Sequence, residues 1–176
     1  MRKNKSNIVG YTTGVYDLFH IGHLNILRNA KLLCDKLIVG VTTDELLVDY
    51  KKKRAVIPFV ERCEIVRSIK YVDVVVAQNT LDKLEAWKKL KFNIMFVGDD
   101  WYKSNTWKNI EDQFKEVGVK IIYFPYTQGT SSTMINQILV DTREEIQAKK
   151  EKLRKLLNEK GKDLDLSEEE INLLFS

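Results

Sequence analysis

An α/β fold on a five-stranded parallel sheet, with strand order 3-2-1-4-5, is what this 176-residue sequence predicts. Two observations carry the prediction. Short apolar, β-branched runs alternate with helix-patterned segments, which argues for parallel strands joined by right-handed crossovers that cover both faces of a sheet. Three polar motifs also fall directly after the first, fourth and fifth runs, at positions 14–23, 98–101 and 129–133. The order 3-2-1-4-5 brings all three to one edge, beyond the carboxyl ends of the strands, where open sheets of this kind bind ligands.

The runs expected as strands are Ile8 to Tyr11, Leu37 to Val41, Val72 to Ala77, Ile94 to Val97 and Val119 to Phe124. Apolar residues at helical spacing mark Leu24 to Leu33, Val60 to Ile69, Leu81 to Leu90 and Ile110 to Val117, and a further helix begins near Thr133. From Asp141 the character changes. Arg143 to Glu159 is rich in Glu and Lys and carries Ile146, Leu153, Leu156 and Leu157, as a solvated amphipathic helix does. Gly161 ends that segment, and Ser167 with Glu170 three residues later has the pattern of a capping box opening a short last helix with Ile171, Leu174 and Phe175. The expected organisation is one domain over residues 1–140 and a helical extension over 141–176.

Composition narrows the class of partner. The net charge of +4 is mild and comes largely from Arg2, Lys3, Lys5, the run Lys51 to Arg54 and the C-terminal helix. A nucleic-acid binder shows a stronger basic face with aromatics interleaved, so no nucleic acid is expected, and small polyanions account for the basic run equally well. Neither a secretory leader nor a bilayer-spanning apolar run is evident, so a cytoplasmic protein with no membrane partner is expected. Cys34 and Cys63 lack CxxC spacing, which gives no sign of a disulfide framework or a zinc site.

The most informative segment is Gly14-Val15-Tyr16-Asp17-Leu18-Phe19-His20-Ile21-Gly22-His23. It links a buried strand to a helix, so it faces the positive end of that helix, where free backbone N–H groups favour an anion. Gly14 and Gly22 let main chain approach that anion without a side chain in the way. His20 and His23 are the only two histidines in the chain, and both fall here. The segment has the makings of a phosphate site.

Its second half resembles the HxGH signature of nucleotidyltransferases related to class I aminoacyl-tRNA synthetases. The longer form, Tyr16 to His23, resembles the cytidylyltransferase branch, which makes CDP-alcohols from CTP and a phospho-alcohol. Gly98-Asp99-Asp100-Trp101 is similar to the form found in the bacterial glycerol-3-phosphate cytidylyltransferases. Tyr126-Thr127-Gln128-Gly129-Thr130-Ser131-Ser132-Thr133 resembles the family's RTEGIST motif, with Tyr126 in place of its arginine and Gln128 in place of its glutamate. The resemblance covers roughly residues 7 to 140 and implies a Rossmann-like fold and a homodimer.

For the site it implies the following roles. His20 and His23 hydrogen-bond the nucleotide's phosphates and steady charge as the α-phosphate is attacked in line. Gly14, Val15, Tyr16, Asp17, Asp99, Gly129, Thr130, Ser131, Ser132 and Thr133 complete the nucleotide site. Lys51 and Lys53 close over phosphates. Arg62, Lys70, Asp100 and Trp101, with Lys51, serve the acceptor, and a guanidinium suits a phosphate by its bidentate geometry. Asp99 and Asp100 bind Mg²⁺ indirectly or take the acceptor's hydroxyls. The implied reaction joins CTP and glycerol 3-phosphate into CDP-glycerol and pyrophosphate, for a teichoic-acid-like or capsular polymer. Three alternatives stand beside it: phosphoethanolamine or phosphocholine as acceptor, an ATP-using adenylyltransferase for a flavin or sugar phosphate, and a nucleotide-binding regulatory protein.

Overall fold

A computed structural model describes residues 7–98, 105–125 and 127–160. The chain divides into two compact units, one ending at Ser132 and the other beginning at Thr133. In the first, the strands β1 (Val9–Gly14), β2 (Lys36–Thr42), β3 (Val74–Gln78), β4 (Ile94–Gly98) and β5 (Lys120–Phe124) alternate with the helices α1 (Ile21–Lys31), α2 (Asp44–Lys51), α3 (Phe59–Arg67), α4 (Lys83–Leu90) and α5 (Asn105–Glu116). All strand pairs are parallel, and the order is β3-β2-β1-β4-β5, as the sequence predicts.

Two-residue periodicity divides the core between the faces of the sheet. Leu37, Val39 and Val41 of β2 pack with Leu27 and Ala30 of α1 and Val66 of α3, while Ile38 packs with Met95, Trp107 and Phe114 toward α4 and α5. Thus α1 and α3 cover one face, and α4 and α5 the other. Burial on both sides explains why these strands read as continuous apolar runs. Helix caps fix the ends at the site edge: the Thr43 hydroxyl accepts from Leu46 N–H, and the Asp82 carboxylate accepts from Leu84 and Glu85 N–H at 2.8 and 2.9 Å.

Two features differ from the sequence expectation. Residues 44–51 form a helix that is not among the helix-patterned segments of the sequence analysis, and Lys51 of the basic run is its last residue. The signal was Thr43 followed by Asp44 and Glu45, a cap with acids in the first turn. The last helix described, α6 (Ser132–Lys160), begins at the final residue of the first unit and runs unbroken through residues 140 and 141. Its apolar residues Met134, Ile138, Leu139, Val140 and Ile146 are exposed. The expected last helix around Ile171, Leu174 and Phe175 lies outside the described residues.

Candidate active site

The loop between β1 and α1 is strained and held from several sides. Tyr16 and Leu18 adopt left-handed backbone with φ of +56° and +47°, which costs side-chain-bearing residues on the order of 1–3 kcal/mol each. Asp17 answers that cost. Its carboxylate accepts from Leu18, Val56 and Ile57 N–H at 3.1, 2.9 and 2.9 Å, so it stitches the loop to the segment before α3. The Asp17 carbonyl in turn accepts from the Ser132 hydroxyl at 2.7 Å. Asp17 thus braces the loop, with three of its roughly four acceptor positions filled from within the chain.

At the start of α1 the two histidines cap the helix and each other. His20 Nδ1 accepts from Gly22 N–H at 3.1 Å, His23 Nδ1 accepts from His20 N–H at 3.4 Å, and their ring centroids lie 4.0 Å apart. With both Nδ1 atoms acting as acceptors, the proton of each neutral imidazole resides on Nε2. Burial lowers the pKa of His20, and burial together with the neighbouring His20 lowers that of His23 to about 4, against a smaller opposing effect of Asp17. Near neutrality, then, the site presents two uncharged Nε2–H donors. Gly22 is required between them. A Cβ there would meet the His20 ring at 2.8 Å from Cε1 and 3.0 Å from Nδ1.

A cavity of about 320 Å³ opens beside this loop at the carboxyl ends of the strands. Thr13, Gly14, Val15, Tyr16 and His23 line it on the β1 and α1 side, Thr42 and Gln78 come from β2 and β3, and Phe96, Trp107 and Ile110 give it an apolar wall. Lys51 enters from the end of α2, with its ammonium 5.4 Å from the Tyr50 ring centroid. Burial, then the nearby Lys53, lowers the pKa of Lys51. Lys51 and Lys53 are both exposed, and of the two only Lys51 lines the cavity.

Lys83, which the sequence reading does not single out, also lines this cavity. It is the first residue of α4, and its ammonium donates to Thr13 Oγ1 at 3.3 Å. Burial pushes its pKa down to about 8, with Asp82 acting weakly the other way. The signal available was positional: a residue directly after the cap that follows a strand stands at the ligand edge of the sheet.

Two residues expected to serve the acceptor, Arg62 and Lys70, do not line the cavity. Arg62 has no exposed surface, and it donates to the carbonyls of Ile57 at 2.9 Å, Val15 at 2.5 Å and Thr42 at 2.8 Å and to the Asp44 carboxylate at 2.5 Å. Its donors join the β1–α1 loop, the end of β2 and the segment before α3, and Arg62 does not line the cavity described above. Lys70 precedes β3 and therefore lies at the amino edge of the sheet, beside Asp73, whose carboxylate accepts from Leu37 N–H and Lys31 Nζ, both at 2.6 Å. A five-residue strand separates that edge from the site by about 15 Å. The ammonium of Lys70 instead lies over the Tyr71 ring.

The remaining motif residues divide three ways. Gly129 has φ of +114°, which favours glycine, and Thr127 Oγ1 accepts from Asn25 Nδ2 of α1 at 3.2 Å, while Thr130 and Ser131 do not line the cavity. Thr133 falls in the other unit. Asp99, Asp100, Trp101 and Tyr126 lie outside the described residues. Among the described residues no group of three or more His, Cys, Asp or Glu side chains is placed to hold a metal ion, and no helix is long and apolar enough to cross a membrane.

A family model described as cytidylyltransferase-like matches residues 11–145. The chain is 36% identical over 127 residues to a glycerol-3-phosphate cytidylyltransferase of Bacillus spizizenii, covering 72% of this chain and 92% of that protein. It is 35% identical over 129 residues to an FAD synthase of Pyrococcus abyssi, covering 72% and 86%. Among solved structures, the lipopolysaccharide core biosynthesis protein of Thermoplasma volcanium shares the fold, with a TM-score of 0.58 at 23% identity over 70% of this chain and 98% of that one. On the family match and these identities, the chain belongs to the cytidylyltransferase-like family.

Proposed function

We propose that the chain transfers a cytidylyl group from CTP to glycerol 3-phosphate, releasing pyrophosphate. The observation that carries this reading is the pair of Nε2–H donors at the head of α1, locked by their Nδ1 bonds beside the cavity. An oxygen of the acceptor's phosphate attacks the α-phosphorus. The bond to the bridging oxygen breaks, and pyrophosphate leaves with the electron pair. No protein nucleophile is needed, because the attacking oxygen is already anionic and positioning and charge stabilisation do the rest. Neutral imidazole donors suit the leaving side, since they strengthen as charge develops there. Mg²⁺ enters this reading bound to the nucleotide's phosphates, as is usual for that ion, because the described residues offer it no protein cage.

The choice of CTP and glycerol 3-phosphate is supported by Gly98-Asp99-Asp100-Trp101 and by the Bacillus relative. A second reading, adenylyl transfer from ATP to a flavin phosphate, is favoured by the equal identity to the archaeal FAD synthase. Pyrophosphate release measured with CTP or ATP against glycerol 3-phosphate, phosphoethanolamine, phosphocholine and FMN separates them. Faster release with ATP and FMN than with any CTP pair would replace the first reading by the second. The proposal includes a homodimer, motivated by the exposed apolar side chains of α6, and sedimentation at micromolar concentration showing only monomer removes that part.

A further inference from the structure

We propose that Lys83 is the residue that binds the phosphate of the acceptor during transfer. The assignment rests on the nucleotidyl-transfer reading above and not on which nucleotide is used. Lys83 and His23 reach the same cavity from opposite sides of the sheet. His23 stands on α1, the helix whose Leu27 and Ala30 pack on one face, and Lys83 on α4, whose Leu84, Trp87 and Leu90 pack on the other. Between them lie Thr13 and Gly14 at the end of β1. In-line displacement sets the attacking and leaving oxygens on opposite sides of the α-phosphorus. With pyrophosphate held at the histidines, the nucleophile comes from the far side, where Lys83 stands.

The surroundings of Lys83 fit a ligand-binding cation better than a structural one. Among the described residues no carboxylate forms an ion pair with its ammonium, and its one hydrogen bond, to Thr13 Oγ1, is long. An ammonium taken from water with so little in return is stabilised by an arriving anion. A phosphomonoester dianion supplies that charge, and its free oxygens leave one available to attack. Among the described residues, the charged and titratable groups facing Lys83 are Asp82, which caps its helix, and, lining the same cavity, Tyr16, His23, Tyr50 and Lys51.

The test uses K83M and K83R with the pair the wild type turns over faster, CTP with glycerol 3-phosphate or ATP with FMN. Nucleotide Kd is measured separately by calorimetry with the Mg²⁺ complex and no acceptor. K83M is expected to raise the acceptor KM at least tenfold and leave the nucleotide Kd within about twofold, while K83R recovers part of the loss. Wild-type kcat/KM for the acceptor should fall above pH 8 as the ammonium loses its proton, and in K83R that fall should move to higher pH. An active wild type whose K83M variant keeps its acceptor KM, or loses nucleotide affinity to the same degree, overturns the assignment alone. A wild type inert with both pairs overturns the nucleotidyl-transfer reading and the assignment with it.

Discussion

Arg62 and Lys83 are both cations drawn into the carboxyl edge of one sheet, and their surroundings are opposite. Arg62 is wrapped by three backbone carbonyls and a carboxylate, whereas among the described residues Lys83 bonds a single hydroxyl. The first charge is spent within the fold, holding the phosphate loop, the end of β2 and the segment before α3 as one body. The second is left for a ligand. A buried cation is therefore informative about function only once its partners are known, and burial alone points the wrong way for Arg62.

The contrast breaks most visibly at Arg62. Arg62→Met strips partners from three buried or half-buried carbonyls and frees Asp44, so stability should fall by about 3 kcal/mol or more in urea unfolding. In K83M the melting midpoint should stay unchanged or rise, because a poorly paired ammonium has been removed. An Arg62→Met variant as stable as wild type would erase the distinction between the two cations.

Next come the histidines, of which His23 lines the cavity together with Lys83 while His20 stands beside it in ring contact. His20→Ala and His23→Ala should each lower turnover by roughly a hundredfold. Their cost in stability should stay near that of losing a helix cap, about 1 kcal/mol. Near-normal turnover in either variant would move that histidine into the structural group with Arg62. A smaller effect is expected at the basic run: Lys51→Ala should reduce kcat/KM by about tenfold and Lys53→Ala by less, since only the first lines the cavity. Equal losses would show that the segment closes as a unit when substrate binds.

The smallest effect is on the pH dependence of stability. Folded His23 takes up a proton only near pH 4, whereas the unfolded chain does so near 6.5. Between these values the unfolded state binds more protons, so stability falls as pH drops through that window. His23→Asn keeps an acceptor for His20 N–H and cannot titrate, so its melting midpoint should vary less between pH 6.5 and 5 than that of wild type. Identical slopes would mean that His23 is not held neutral by the fold.

Much of this was legible in the chain because the phosphate loop is contiguous and its residues are near in sequence as well as in space. The strand order followed from where the motifs fall relative to the apolar runs. The surroundings of Arg62 are not legible in the sequence, which records its charge and not its partners Val15, Thr42 and Asp44, all distant along the chain. Lys70 could have been set aside: a residue before a parallel strand lies at its amino end, away from the ligand edge. Lys83 stayed hidden in an ordinary lysine-rich helix, and only the crossover that carries α4 over the sheet gives its position meaning.

The mutual capping of His20 and His23 has a consequence for how α1 meets an anion. In most helices that bind phosphate, the backbone N–H groups of the first turn touch the ligand themselves. Here the N–H of Gly22 is directed into the His20 ring and that of His20 into the His23 ring, so each imidazole takes a hydrogen bond on one nitrogen and offers one from the other. Polarisation passes along such a chain and strengthens its outer donor. The helix terminus is thereby relayed through two aromatic rings to a point that the backbone alone could not reach. Moving either ring would disconnect α1 from the ligand while leaving the helix itself intact.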